Sequence, residues 1–333
     1  MNLNIAVLGG GSWGTTVASL VSVNCPTTLW ARDTNTVSDI NKHHCNEKYL
    51  KGLPLSPSLK ANDSLEKTLK DADVVIVGIP SQHCRTVMEE AKPYIRSWVP
   101  ILSLTKGLEQ GTQMRMTEIF ESIFPQHPIG VLTGPNLAKE ILQGQAAAAV
   151  IAMADKNIAE ALQQVFRTGL FRIYTNNDVI GCELAGALKN VIAIAAGMGD
   201  GAGAGDNTRA AVITRGLAEL TRLGIEMGGQ PSTFAGLAGM GDLIATCISP
   251  LSRNRYVGIQ LGKGRTINEI ITEMSMVAEG VKTSGVVIQL AERYGIEMPI
   301  SQEVNKVINE SCTARQAFRG LLSSKTGSES DPG

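Results

Sequence analysis

Lys189 and Asn190 lie in the middle of an apolar stretch, GALKNVIAIAAG, which runs from Gly186 to Gly197. The alanine, valine and isoleucine content predicts a helix that is packed on every side. A lysine in such a helix can extend its methylene groups over apolar neighbours and place its charge in water. Alternatively, it reaches a pocket and transfers protons, because desolvation makes lysine a more competent base. The residues alone favour the first interpretation and leave the second open.

A second group of residues has the spacing of a phosphate-binding loop. Gly9, Gly11 and Gly14 form a GxGxxG motif in GGGSWG, directly after the apolar run NIAVL and before a helical run that starts at Ser12 and Trp13. In dinucleotide-binding proteins these glycines permit a tight turn and a close backbone approach to pyrophosphate, which lies at the helix N-terminus. The order of strand, glycines and helix favours a dinucleotide site over a simple glycine-rich turn.

Arg32 and Asp33 follow the second apolar run, TTLWA. At this position, about 20 residues after the glycines, an acidic residue holds the ribose of NAD and an arginine accommodates the 2′-phosphate of NADP. Arg32 therefore favours NADP(H). NAD(H) stays possible because Asp33 can turn toward the ribose, and an exposed arginine without a ligand is the plain alternative.

The elements that must position these residues change type along the chain. The first half alternates short apolar runs with helical stretches, which predicts an α/β domain with a doubly wound parallel sheet of the Rossmann type. Ligands bind beyond the carboxyl ends of such strands. Lys106 follows the apolar run PILSLT, and it is a candidate for that reason.

After about Asn177 the strand pattern stops and amphipathic helical segments follow, so the second domain is predicted to be all-helical. We expect a dinucleotide-binding domain over residues 1–180 and a helical substrate domain over residues 181–322. The polar sequence of residues 323–333 predicts a disordered tail.

Composition restricts the partners and the compartment. The formal net charge of −1 gives no electrostatic reason to expect nucleic acid or an anionic membrane. Six scattered cysteines indicate reduced thiols in a cytoplasm, and His43, His44 and Cys45 are expected to be a surface turn without a metal. The N-terminus has no pattern of a secretory signal, and the apolar run Ala146–Ala154 is too short to span a bilayer.

Seven segments, in order, resemble NAD(P)-dependent glycerol-3-phosphate dehydrogenase of the bacterial type: LGGGSWGT, SLTKGLE, TGPNLAKE, ELAGALKNVIAIAAGMGDG, GDNTRAAVITRG, GLAGMGDLIATC and SRNR. The resemblance covers nearly the whole chain. It implies reversible hydride transfer between NAD(P)H and dihydroxyacetone phosphate, which gives sn-glycerol 3-phosphate for glycerophospholipid synthesis. It also implies a cytoplasmic homodimer, although no physical feature of the sequence supports dimerisation.

The resemblance implies that Lys189 is the proton acceptor in glycerol phosphate oxidation, with Asn190 and Asp242 beside it. The implied cofactor-binding residues are Gly9, Gly11, Ser12, Trp13, Gly14, Arg32, Lys106, Ala138, Arg253, Val277 and Glu279. The implied substrate-binding residues are Lys106, Gly134, Asn136, Lys189, Asp242, Thr246, Ser252, Arg253 and Asn254. Arginine and asparagine fit a phosphate because the guanidinium binds two oxygens and the amide adds a neutral donor.

Some positions keep alternatives. The family usually has serine or threonine where this chain has Asn136, which puts the substrate contact of that residue in doubt. Asn207 and Thr208 match positions near the substrate, but both are also good helix N-caps. Arg255 is expected to be structural or solvent-facing.

Two other functions remain open from the sequence. One is another Rossmann dehydrogenase, such as a ketopantoate reductase or a hydroxyacid dehydrogenase, which would need a carboxylate site in place of the SRN segment. The other is a nicotinamide-sensing protein without turnover, although no basic helix-turn-helix segment supports a DNA-binding sensor.

Overall fold

The computed structural model describes residues 3–274, 277–309 and 311–323, and its contacts divide the chain into two compact units. The first unit consists of Met1–Thr105 and Arg115–Val179, and the second of Lys106–Met114 and the chain from Ile180 onward. Each unit has its own hydrophobic core. The segment that begins at Lys106 thus belongs to the second unit, whereas the continuous boundary expected from the sequence places it in the first. The predicted tail over residues 323–333 lies outside the described residues, apart from the backbone of Ser323.

Within the described residues, the first unit contains one eight-stranded sheet with the order β3-β2-β1-β4-β5-β6-β7-β8. All neighbouring strands are parallel except β6 and β7, where Val131 pairs with Ala152 in an antiparallel register. The strands are β1 Ile5–Leu8, β2 Thr27–Trp30, β3 Lys60–Asn62, β4 Val74–Val77, β5 Ile101–Ser103, β6 Ile129–Thr133, β7 Ala147–Met153 and β8 Phe171–Asn176. The predicted doubly wound α/β sheet is confirmed.

Helices connect these strands, and short polar side chains begin several of them. Asp33, Ser64 and Asp155 each accept a hydrogen bond from a backbone N–H in the first turn of the following helix, which satisfies a donor that has no partner inside the helix. The helices are α1 Ser12–Val21, α2 Thr34–His43, α3 Glu47–Leu50, α4 Leu65–Leu69, α5 Ser81–Ala91, α6 Met116–Ile123, α7 Ala138–Leu142 and α8 Lys156–Val165, with a 3₁₀ turn at Lys92–Tyr94.

The described part of the second unit is built from helices and contains no strand, as the sequence predicts. The helices are α9 Val179–Gly201, α10 Asp206–Glu226, α11 Pro231–Phe234, α12 Asp242–Ile248, α13 Arg253–Gly262, α14 Ile267–Glu273, α15 Glu279–Tyr294, α16 Pro299–Ile308 and α17 Ala314–Ser323. A π-helical turn, Leu237–Gly241, leads into α12. Such turns are frequent at functional sites.

Helix α9 is the core helix of the second unit. Every residue from Gly181 to Gly199 is buried, including Lys189 and Asn190. Among the described residues, this helix is long and apolar enough by length and composition to cross a bilayer. However, 89% of its apolar window is buried in the protein, and its side chains form part of the core of the second unit. The segments Pro231–Ile248 and Arg253–Gly262 are long and apolar enough to cross a bilayer only if they are counted as one span despite a 49° bend between them.

Glycines bring α13 unusually close to α9. A Cβ atom on Gly197 would overlap the carbonyl oxygen of Arg255, and one on Gly258 would overlap the carbonyl oxygen of Ile194. The two backbones therefore touch where any larger residue would separate them. This contact places the first turn of α13, with Asn254, against the middle of α9.

Candidate active site

The ammonium group of Lys189 is enclosed by polar atoms rather than extended to water. The residue is 4% exposed. Its Nζ atom donates to the hydroxyl of Thr246 at 2.7 Å and to Oδ1 of Asn190 at 3.2 Å, and it lies 3.2 Å from Oδ1 of Asp242. The structure therefore excludes the snorkelling interpretation for this lysine.

Asp242 lies between two lysines. Its Oδ2 atom is 2.6 Å from Nζ of Lys106, while its Oδ1 atom faces Lys189. Burial lowers the pKa of Lys106 to about 8; the charge of Lys189 adds to this shift, and Asp242 opposes it. The cluster has two cationic groups for one carboxylate, so it can stabilise a negative charge that develops on a ligand.

Two asparagines fix the other side of the cluster. Asn190 donates to the carbonyl oxygen of Lys106 at 3.0 Å, and its Oδ1 atom accepts from Asn254 at 2.8 Å. Oδ1 of Asn254 in turn accepts from the backbone N–H of Gly280 at 3.0 Å. The side-chain orientations of both amides follow from these bonds, and each amide nitrogen keeps one N–H for a ligand.

Local helix geometry explains how the carboxylate reaches both lysines. Asp242 and Thr246 are one turn apart on α12, so both side chains lie on the same face. The Thr246 hydroxyl donates to the backbone carbonyl of Asp242 at 2.6 Å, which leaves its lone pair for Lys189. Thr246 therefore holds the lysine ammonium next to the carboxylate.

The SRN segment lies at the start of α13. Ser252 is the N-cap, and its Oγ atom accepts from the backbone N–H of Arg255. Arg253 is exposed and donates to the carbonyl oxygen of Val277 at 2.7 Å, close to Glu279, which begins α15. Val277 bonds Arg253 and Glu279 interacts with its charge, so two predicted cofactor residues lie near the predicted phosphate arginine.

Arg255, Asn207 and Thr208 do not contact the lysine cluster through any of the hydrogen bonds described above. Arg255 pairs with Asp200 at 2.7 Å, which agrees with a structural role. The N-cap of α10 is Gly205, so neither Asn207 nor Thr208 caps that helix, and no hydrogen bond links either one to Lys189 in the described part of the chain.

The glycine loop of the first unit has room where a pyrophosphate binds in dinucleotide sites. Gly9 has a φ of 119°, and a Cβ on Gly14 would overlap the carbonyl oxygen of Gly9, so both positions require glycine. A Cβ on Gly11, in contrast, would meet no atom within 4 Å. Gly11 is the N-cap of α1 and has no side chain to bond the first amides of that helix, which begins at Ser12. The loop therefore fits an anion.

Around this loop, Trp13 packs edge-on against Phe171 at 6.4 Å, and its buried indole N–H has no hydrogen-bond partner in the described structure. Arg32 is exposed at the end of β2. Asp33 caps α2 and forms an ion pair with Lys48 at 2.9 Å.

The segment after β6 supplies three further candidates. Gly134 has a φ of 132°, and a Cβ there would lie 3.0 Å from Cα of Ala149, so the backbone alone requires glycine. Both amide atoms of Asn136 are buried without a partner among the described residues. Ala138 begins α7 and packs on the core of the first unit. A buried amide without a partner is costly, which favours a ligand or a water at Asn136.

The described residues contain no group of three or more His, Cys, Asp and Glu side chains that could hold a metal ion. His43, His44 and Cys45 lie at the end of α2 and just after it. All six cysteines are free thiols.

Comparisons with known proteins are consistent along the whole chain. The family described as NAD-dependent glycerol-3-phosphate dehydrogenase matches with its N-terminal part over residues 4–159 and with its C-terminal part over residues 178–319. Glycerol-3-phosphate dehydrogenase [NAD(P)+] 2 of Sphingopyxis alaskensis is 60% identical over 100% of both chains. The chain belongs to the glycerol-3-phosphate dehydrogenase family.

Two further members of the family support the assignment. Glycerol-3-phosphate dehydrogenase [NAD(P)+] 1 of Mycobacterium tuberculosis is 54% identical over 98% of this chain and 96% of its own. The crystal structure of glycerol-3-phosphate dehydrogenase from Coxiella burnetii has a TM-score of 0.93 and 35% identity, over 97% of this chain and 99% of that one. The resemblance found in the sequence is thus confirmed.

Sequence reasoning missed some residues that shape the site. Gly280 is one, because its N–H holds Asn254 and a Cβ there would lie 2.7 Å from the carbonyl oxygen of Asn190. Gly197 and Gly258 are others. The spacing of glycines four residues apart in α9 and α13 was the available signal, since small residues at this spacing permit close helix contact.

Proposed function

We propose that the protein transfers a hydride reversibly between NAD(P)H and dihydroxyacetone phosphate, and so forms sn-glycerol 3-phosphate, a precursor of glycerophospholipids. The observation that carries this proposal is the buried cluster in which Lys106 and Lys189 share Asp242. Reduction of a ketone places negative charge on its oxygen. A cluster with two lysines and one carboxylate can stabilise that charge and donate a proton to it.

Lys189 serves as the acid and base at the carbonyl oxygen. In the direction of reduction its ammonium donates the proton that converts the developing alkoxide to a hydroxyl, and in oxidation the neutral amine accepts that proton. Asp242 and Thr246 orient the amine, and Asn190 donates its free N–H to the same oxygen. The bound reduced nicotinamide supplies the hydride.

The substrate phosphate binds at the start of α13. Arg253 is exposed there and keeps guanidinium donors beyond the one that bonds Val277, and the free N–H of Asn254 adds a neutral donor. The hydroxyl hydrogen of Ser252 is not used by the cap, because its Oγ atom is the acceptor there. A planar guanidinium can bind two oxygens of a phosphate at once.

The cofactor binds with its pyrophosphate at Gly9, Gly11 and Gly14 and at the first amides of α1, formed by Ser12 and Trp13. The open space at Gly11 supports this assignment. Lys106, Ala138, Arg253, Val277 and Glu279 complete the proposed cofactor contacts. Asn136 and Gly134 are proposed to contact the substrate, and the amide of Asn136 without a partner supports the first of these contacts.

NADP(H) is the preferred cofactor in this proposal. Arg32 is exposed where the adenosine 2′-phosphate lies in such sites, and both oxygens of Asp33 already accept hydrogen bonds, from Asn35 and Lys48. A homodimer in the cytoplasm completes the proposal. It rests on the resemblance to the family and on the free thiols.

A direct assay tests the proposed activity. Purified protein is mixed with dihydroxyacetone phosphate, and the absorbance of reduced nicotinamide is followed with NADPH and NADH in parallel. We expect oxidation of the cofactor, faster with NADPH at low concentration. Ketopantoate replaces the substrate in a second series, and oxidation with ketopantoate alone would contradict the proposal.

Lys189→Ala identifies the acid and base within this assay. We expect kcat to fall by roughly 10²–10⁴-fold, the usual contribution of a general acid or base, with little change in NADPH affinity. Lys282→Ala is the matched control because Lys282 is an exposed lysine on α15. A Lys189→Ala variant that folds normally and turns over at the rate of the control would remove Lys189 from the chemistry.

A further inference from the structure

The turn that contains α3 places a lysine at the end of β2. Nζ of Lys48 lies 2.9 Å from Oδ2 of Asp33, while Oδ1 of Asp33 accepts from the backbone N–H of Asn35 at 3.0 Å. Each carboxylate oxygen therefore already accepts one hydrogen bond, one of them from a cation. The sequence separates the two charged residues by 15 positions, so no local pattern indicates this ion pair.

The same turn is anchored to the glycine loop. The buried side chain of Asn46 donates to the carbonyl oxygen of Gly10 at 3.0 Å and is 2.9 Å from the hydroxyl of Thr15 on α1. Its Oδ1 atom accepts from the backbone N–H of Tyr49 and so caps α3. Lys48 is thus held two residues from an anchor on the loop where the pyrophosphate is proposed to bind.

We propose that Lys48 is a second determinant of cofactor selectivity, which binds the adenosine 2′-phosphate of NADP(H) together with Arg32. This inference rests on the proposed nicotinamide function and extends it by one residue. Neither Lys48 nor its turn belongs to the residues that the family resemblance assigns to the cofactor.

Electrostatics explains why the lysine matters here. An ionised carboxylate next to a 2′-phosphate repels it, and the hydrogen bonds from Lys48 and the Asn35 amide favour the ionised form of Asp33 by lowering its pKa. Lys48 compensates that negative charge and adds a cation for the phosphate. Without Lys48, Asp33 would accept freely from the ribose 2′-hydroxyl and would favour NAD(H).

The rearrangement on binding is small. The side chains of Lys48 and Asp33 are 54% and 34% exposed, and exposed ion pairs contribute little to stability. The ammonium group can therefore shift toward a phosphate oxygen at little cost. Its three N–H donors also allow it to contact both groups at once.

The test measures binding of adenosine 2′,5′-bisphosphate and of ADP by calorimetry, and so does not depend on turnover. The chain is compared with Lys48→Ala, Lys48→Arg, Asp33→Asn and the control Lys51→Ala, which removes an exposed lysine from the same turn. We expect Lys48→Ala to weaken the bisphosphate roughly tenfold, as for the loss of one charge-assisted contact, and to change ADP binding by less than about twofold. Lys48→Arg should bind the bisphosphate about as tightly as the unchanged chain does, and Asp33→Asn should bind it more tightly.

The outcomes separate this inference from the function on which it rests. Equal binding of the bisphosphate by Lys48→Ala and Lys51→Ala would overturn the role of Lys48 even if the enzyme reduces dihydroxyacetone phosphate. If Lys48→Ala alone loses affinity for the bisphosphate and the protein does not reduce dihydroxyacetone phosphate, the 2′-phosphate site is supported and the proposed reaction is contradicted. A folded chain that binds neither nucleotide would overturn both.

Discussion

At the scale of single residues, the two lysines of the site differ in their surroundings. The side chain of Lys106, which bonds one oxygen of Asp242, is 17% exposed, whereas that of Lys189, which bonds Thr246 and Asn190, is 5% exposed. Burial lowers the pKa of Lys106 to about 8, so this lysine loses its proton just above neutral pH. The charge of Lys106 therefore changes with pH within the working range of an enzyme.

This titration gives a prediction for catalysis. Reduction needs positive charge at the cluster, so kcat/KM for dihydroxyacetone phosphate should fall as the pH rises through about 8. Lys106→Arg should move this fall to higher pH, because a guanidinium stays charged over the whole range. The measurement is a pH profile of kcat/KM for both proteins with saturating NADPH. A fall near pH 8 that is the same in Lys106→Arg would assign it to another group.

The sequence predicts some residues of the site and leaves others out for a physical reason. Lys189 is conspicuous because it interrupts an apolar helix, yet its own neighbours favour a snorkelling lysine. The carboxylate that holds it, Asp242, is 53 positions away and follows only from the resemblance to the family. Gly280 and Lys48 act through contacts between distant segments, for which a single sequence carries no periodic signal.

At the scale of elements, the contact between α9 and α13 positions the phosphate end of the site. Gly258→Ala places a Cβ against the carbonyl oxygen of Ile194, and a backbone atom cannot move aside as a side chain can. We expect a loss of about 1–3 kcal/mol in the free energy of unfolding, as for overpacking. Because α13 carries Arg253 and Asn254, KM for dihydroxyacetone phosphate should rise as well. Urea unfolding and steady-state kinetics measure the two effects.

Gly285→Ala is the control for this substitution. Gly285 lies inside α15, and a Cβ there would meet only Oδ1 of Asn305, at 3.9 Å. Alanine should therefore leave KM unchanged and stabilise the helix by up to about 1 kcal/mol. If both variants behaved alike, the close approach of α9 and α13 would have no special role.

The elements themselves are largely predictable, but their directions and partners are not. The apolar runs NIAVL, TTLWA and PILSLT, from which the sheet is predicted, each contain one of its strands. The alanine-rich run that forms β7 has no alternation to distinguish strand from helix, and its antiparallel pairing with β6 depends on the path of the chain through α7. Strand β3 has only three residues, too few for a pattern.

At the scale of the whole molecule, one buried carboxylate links stability to pH. Glu219 on α10 is 1% exposed and accepts from the backbone N–H groups of Ile300 and Ser301 and from the Ser301 hydroxyl, at the start of α16. Burial raises its pKa from 4.5 to about 7, although these bonds and the charge of Arg222 oppose the shift. Between these values the folded protein binds a proton that the unfolded chain has lost.

The folded state should therefore lose stability as the pH rises from about 4.5 to about 7, by up to about 3 kcal/mol from this group. Urea unfolding at pH 5 and pH 7.5 measures this change in the protein, in Glu219→Gln and in Glu226→Gln, whose glutamate is exposed on the same helix. Glutamine does not titrate, so the pH dependence should become flatter in Glu219→Gln alone. Glu219→Gln should also be less stable at pH 5, because its amide N–H₂ faces the Ser301 N–H and leaves that donor without an acceptor. An equal pH dependence in all three proteins would show that Glu219 titrates in the folded state as it does in the unfolded chain.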